Sequence, residues 1–139
     1  MGLHSLTLAF TPVLKANSTP QAGSAIVNFS SVAGLAAFPS IPTYSASKAA
    51  VHSLTQAWRA ALGAHGIAVH GVYPGPIDTD MARDIDMPKT SPDTVAHAVL
   101  DAIAAGAEDI FPDPMSKEVG ANYLADPKAV ERAFALQTA

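Results

Sequence analysis

Three side chains in this sequence have the types and spacing to share a reaction. Tyr44 and Lys48 stand four apart in the run Tyr44-Ser45-Ala46-Ser47-Lys48. On a helix they would lie on one face, one turn apart. A phenol with an ordinary pKa of about 10 is a poor base near neutrality. A neighbouring ammonium favours the phenolate and lowers that value, which makes the pair a candidate general acid/base. Ser31 comes thirteen residues before Tyr44. A hydroxyl there could donate to a carbonyl oxygen and stabilise the charge that develops on it. Each residue also has a plainer explanation. Tyr44 could be a packing aromatic with Lys48 as its solvated neighbour, and Ser31 an ordinary strand-end hydroxyl. Pro74-Gly75-Pro76 could be only a turn, and Thr79 either a helix cap or a ligand contact. Their occurrence together, in order, favours the chemical explanation.

These side chains can meet only if particular elements position them. Leu3, Leu6, Phe10 and Val13 recur at helical spacing, which predicts a helix from Gly2 to Ala16 with Pro12 kinking its last turn. A loop covers Asn17 to Gly23. Ala25 to Phe29 is a short apolar run suited to a strand covered on both faces. Ser30 to Thr43 reads as a loop, and a long helix runs from Tyr44 to Ala64 with Val51, Leu54, Trp58 and Ala61 as its stripe. Gly66 should end it in a left-handed conformation. Ile67 to Tyr73 forms the next strand, stopped by Pro74-Gly75-Pro76. Ser91 and Pro92 mark a helix start, Val95, Val99, Ala102 and Ile103 its apolar face, and Gly106 its end. Asp109 to Phe111 is a last strand, and the tail holds one or two short helices broken near Asp126-Pro127. This alternation predicts an α/β fold with a parallel sheet, right-handed crossovers and helices on both faces. Ligands gather at the carboxyl ends of such strands. Ser31 and the start of the Tyr44 helix would share that rim.

Composition narrows the function. The 139 residues suffice for one domain. There is no cysteine, which excludes disulfides and thiolate metal sites and is compatible with a cytoplasmic location. The five histidines have no ligand-like spacing, so no metal site is expected. The net charge is −4 without a basic run, so nucleic-acid binding is not expected. No apolar run is long enough to span a bilayer. Residues Met1 to Lys15 are apolar but lack the cationic start of a signal peptide. A small secreted binding module would be the alternative if they were one.

Val27-Asn28-Phe29-Ser30-Ser31-Val32-Ala33-Gly34, then Tyr44-x-x-x-Lys48, then Tyr73-Pro74-Gly75-Pro76-Ile77-Asp78-Thr79, resembles the signature of the classical short-chain dehydrogenase/reductase family. The resemblance runs from the Gly2 helix to about Phe111. It implies the C-terminal half of a Rossmann-like doubly wound parallel sheet, a single partial domain over residues 1–139. It also implies an oxidoreductase that uses NAD or NADP on a small-molecule carbonyl or secondary alcohol. Under it Tyr44 is the proton donor and acceptor, Lys48 lowers its pKa and holds the nicotinamide ribose, and Ser31 polarises the carbonyl. The spacing to Tyr44 selects Ser31 over Ser30. Tyr44, Lys48, Pro74, Gly75, Ile77 and Thr79 are the expected cofactor contacts. Val32, Ala33, Phe38 and Met81 are candidate walls of the substrate pocket. The family's glycine-rich turn and its Asn-Asn-Ala-Gly strand are not found here. The expectation is a chain that lacks most of its cofactor-binding half and is inactive alone. A non-catalytic remnant acting only through association with other chains is the alternative. The Tyr44 helix carries more apolar surface than one packed face needs, so a homo-oligomer is expected.

Overall fold

A computed structural model of the chain describes residues 2–19 and 23–137. The middle of the expected Asn17–Gly23 loop lies outside them. Helix α1 (Gly2–Asn17) leads into strand β1 (Ser24–Phe29), helix α2 (Pro42–Leu62), strand β2 (Ile67–Val72), helix α3 (Pro92–Ala104) and strand β3 (Asp109–Ile110). Helices α4 (Pro114–Ala125) and α5 (Pro127–Ala135) follow. The sheet is parallel with order β1-β2-β3. The α/β class and the layered parallel sheet expected from the sequence are therefore observed. No helix among the described residues is long and apolar enough to cross a membrane.

Several boundaries differ from the sequence reading, each for a local reason. Helix α1 continues through Pro12 to Asn17. Helix α2 begins at Pro42, where a proline in the first turn loses no intrahelical bond. Part of the expected Ser30–Thr43 loop is a 3-10 turn, Val32–Gly34. The left-handed stop at Gly66 is present with φ 71°, and Gly106 adopts φ 76° beyond α3. Ser91 caps α3 by accepting from Thr94 N–H, with Pro92 at its first turn. The break at Asp126-Pro127 separates α4 from α5, and Asp126 caps the latter.

Alternate strand residues show which helix covers which face. Ile26, Ile67 and Val69 pack with Leu62 and Trp58 of α2, and with Leu14 of α1. Val27, Val72 and Ile110 pack on the other side with Val95 and Val99 of α3. Both connections step the same way along the sheet, yet their helices lie on opposite faces. The two crossovers must then have opposite hands, so the right-handed rule expected from the sequence holds for one of them only. The rule describes tight β-α-β units. The second connection is instead a long excursion from Tyr73 to Ser91, pinned by a parallel bridge between Ile77 and Thr90. A third cluster joins the 3-10 turn to the tail helices through Val32, Ala36, Val119, Val130 and Phe134.

Candidate active site

Strands β1 and β2 are in register to their ends, Phe29 opposite Val72. The two chains therefore leave the sheet side by side, and the segments that follow form one rim. Ser30 and Ser31 follow β1, Tyr44 lies in the first turn of α2, and Tyr73 to Thr79 follow β2.

The tie between the β1 rim and α2 is close. Ser30 Oγ donates to the carbonyl oxygen of Lys48 at 2.8 Å. Gly34 sits where a Cβ would come within 2.6 Å of Ser30 Oγ and 2.7 Å of Lys48 O, so no side chain fits between the turn and the helix. Ser30 is thus a structural tie to the backbone of Lys48. Ser31 is also buried. Its Oγ accepts from Ala33 N–H at 3.2 Å, which caps the 3-10 turn, and reaches the carbonyl oxygen of Pro74 at 3.4 Å. The second contact is long for an O–H donor, hence weak.

Tyr44 and Lys48 meet as helical spacing requires. Lys48 Nζ stands 5.6 Å from the centroid of the Tyr44 ring, within the range of a cation–π contact. The same ammonium donates to the carbonyl oxygen of Phe29 at 3.1 Å, which draws the tip of the side chain to the end of β1. Burial lowers the pKa of Lys48 from its ordinary value.

Tyr73, the other tyrosine near this rim, has a different environment. It is fully buried and its hydroxyl pairs with His52 Nδ1 at 2.7 Å. Burial, and then the nearby Asp109 carboxylate, push its phenol far above the ordinary range. Asp109 is held by Arg59 at 2.7 Å. Arg59 also donates to Val69 O and Glu108 O. This network fastens α2 to β2 and β3. The pairing of His52 with Tyr73 joins positions 21 apart and carries no signal in the sequence spacing.

The cofactor candidates after β2 are placed individually. Pro74 is buried. Gly75 N–H is already engaged, donating to Asp113 Oδ2 at 2.9 Å. Around Ile77, Asp78 N–H donates to Thr90 O and Thr90 N–H to Pro76 O. Backbone groups alternate sides along an extended chain, so Ile77 turns its own N–H and C=O away from Thr90. Thr79 occupies the N-cap position of the 3-10 turn Asp80–Ala82, but its side chain makes no capping bond. Its hydroxyl leans towards Ile77 O at 3.4 Å. Of the expected pocket walls, Val32 and Ala33 are core residues, and Phe38 stacks on Phe134 at 4.1 Å between centroids. Only Met81 is strongly exposed. No cluster of three or more metal-ligating side chains occurs among the described residues.

Comparison with known proteins places the chain in a family. The family model for short chain dehydrogenases matches residues 1–90. The chain belongs to the short-chain dehydrogenase/reductase family. An uncharacterized oxidoreductase of Staphylococcus saprophyticus is 36% identical over 86 residues, which are 60% of this chain and 37% of that protein. An inactive 2-(S)-hydroxypropyl-CoM dehydrogenase of Xanthobacter autotrophicus is 50% identical over 62 residues, 44% of this chain and 27% of that one. A short chain dehydrogenase from Burkholderia cenocepacia, solved in complex with NADP, superposes with a TM-score of 0.86 at 37% identity. The match covers 96% of this chain and 56% of that structure. The chain thus spans well under two thirds of the length of each.

Proposed function

We propose that the chain carries the reacting centre of an oxidoreductase that moves a hydride between NAD or NADP and a small-molecule carbonyl or secondary alcohol. The observation that carries this reading is the Tyr44–Lys48 pair at the start of α2, with the ammonium 5.6 Å from the ring centroid, on the rim that Ser31 also occupies. The presence of Ser31, Tyr44 and Lys48 together also weighs against a non-catalytic remnant, although one relative bears the word inactive in its name.

The residues present suit one end of a dinucleotide. Lys48 offers an ammonium to ribose hydroxyls, and Ile77 offers a main-chain donor and acceptor that its bridge to Thr90 leaves outward. Those groups match a ribose and a carboxamide. No glycine-rich turn for a pyrophosphate occurs in the 139 residues, so the fit covers the nicotinamide end only. When bound, the nicotinamide supplies or accepts the hydride at the carbonyl carbon. Tyr44 gives its phenolic proton to the carbonyl oxygen during reduction and takes it back during oxidation. Lys48 balances the negative charge left on the phenol oxygen. Ser31 keeps its lone pair on Ala33 N–H and swings its hydrogen from the weakly held Pro74 oxygen to the substrate oxygen. Gly75 contributes through its carbonyl or Cα, since its N–H is taken.

The test is carbonyl reduction by the polypeptide that contains this chain, with NADPH and NADH against a panel of small ketones and aldehydes. Ser31→Ala should lower turnover by about 10²–10³, the loss typical of one oxyanion donor. Failure to reduce any carbonyl, or an unimpaired Ser31→Ala variant, would overturn the reading. We also propose self-association through the outer face of α2, where Ala49, Ala50, Ala57 and Ala60 are exposed. Sedimentation velocity should show a dimer or larger at micromolar concentration, and a clean monomer would contradict it.

A further inference from the structure

We propose that Asp113 is a positioning residue for this site, fixing the place of Ser31 through the Pro74–Gly75 peptide. The inference rests on the reading of Ser31 given above.

Asp113 heads α4 and is 3% exposed. Its carboxylate serves two partners. Oδ1 accepts from Ser116 N–H at 2.9 Å, while Ser116 Oγ accepts from Asp113 N–H at 3.1 Å, closing a capping box. Oδ2 accepts from Gly75 N–H at 2.9 Å. A helix cap alone needs a single side-chain oxygen, and Ser, Asn and Asp supply it about equally well. The second oxygen is what the Gly75 contact uses, and it is the reason a carboxylate suits this position.

The N–H of Gly75 and the C=O of Pro74 belong to one peptide unit. That unit is a rigid trans plane, so its N–H and C=O point in opposite directions. Asp113 grips one edge. On the other edge, Pro74 O accepts from Val32 N–H at 3.2 Å and faces Ser31 Oγ at 3.4 Å. The plane is therefore a stiff strut between the cap of α4 and the loop that carries Ser31. Rotating it would break the contacts on both sides at once. The approach is also close. A Cβ on Gly75 would fall 2.9 Å from Asp113 Oδ1 and 3.1 Å from Met115 Sδ. Glycine is the residue that lets α4 press this near to the turn.

Two variants separate the strut from the cap. Asp113→Ser keeps a capping oxygen but is too short to reach Gly75. Asp113→Asn keeps one acceptor and faces an amide N–H₂ towards the other donor. Amide hydrogen exchange in the full polypeptide should show Gly75 exchanging at least about tenfold faster in Asp113→Ser, with Ser116 still protected; tenfold is the loss of one ordinary net hydrogen bond. Carbonyl turnover should fall by between about tenfold and a hundredfold in both variants, with KM for the carbonyl little changed, as expected for a misplaced reacting group. In a Ser31→Ala background the same changes should cost almost nothing more, because the two residues act as one unit. Unchanged exchange at Gly75, or losses that add to those of Ser31→Ala, would overturn the proposal. A fully active Ser31→Ala variant would instead overturn the reading of Ser31, and this role of Asp113 with it, while the exchange data would still register the contact.

Discussion

Replacing Tyr44 with Phe is expected to cut carbonyl reduction by at least about 10²–10⁴, the contribution of a positioned general acid. The phenol ring would keep its packing and its contact with Lys48, so the loss isolates the hydroxyl. Single-turnover reduction with saturating NADPH is the measurement, because it separates chemistry from product release. Tyr73→Phe is the matched control. Its hydroxyl is buried against His52 and Asp109 and its phenol holds its proton more tightly than usual. It should lower the unfolding free energy by about 0.5–1.5 kcal/mol, the net worth of one hydrogen bond, and leave the chemical step nearly intact. A Tyr44→Phe protein with turnover near that of the wild type would refute the assignment of Tyr44.

The second large effect concerns the 139 residues purified as an isolated polypeptide. They are expected to bind NADPH and NADH with millimolar affinity or weaker and to show no turnover. Lys48, Ile77 and Thr79 can touch only one end of the dinucleotide. A few hydrogen bonds at about 0.5–1.5 kcal/mol each must first offset several kcal/mol of lost rigid-body freedom. Among the described residues β1 has a strand neighbour on one side only. Leu3, Leu6, Phe10, Val27 and Phe29 line an apolar groove beside it, and Phe29 is 48% exposed. An edge of this kind pairs readily with other chains. The isolated polypeptide should therefore also aggregate or assemble edge to edge. Isothermal calorimetry decides the binding claim, and a micromolar dissociation constant for either nucleotide would reject it.

Features set by local chemistry were legible in the sequence. The Tyr44–Lys48 pair follows from helical period, the left-handed stop from Gly66, the end of α3 from Gly106, the start of α3 from Ser91-Pro92 and the break between the tail helices from Asp126-Pro127. Pro42 carried the same kind of signal for α2. That signal is weakened by Ile41, which at the cap position offers no side-chain oxygen. A three-residue turn such as Val32–Gly34 has no period to detect, so the capping role of Ser31 was hidden. Contacts between distant positions were hidden too. Nothing in the spacing of Gly75 and Asp113, or of His52 and Tyr73, announces that they touch. The same holds for the hand of the second crossover, which depends on the route of a long connection rather than on any residue in it.

That change of hand decides who the neighbours of the rim are. Had α3 packed on the same face as α2, it would have filled the slot beside it, over Tyr73 and Phe111. Because α3 crosses to the far side, the slot is vacant when the chain leaves β3, and α4 takes it. Gly120 of α4 lies against the Phe111 ring, which stacks on Tyr73 at 5.5 Å between centroids. The last segment of the chain is thereby made a load path to the first residues after β1. Mutations in α4 and α5, remote in sequence from every candidate catalytic residue, should be felt at the rim, whereas those on the outer surface of α3 should be silent there.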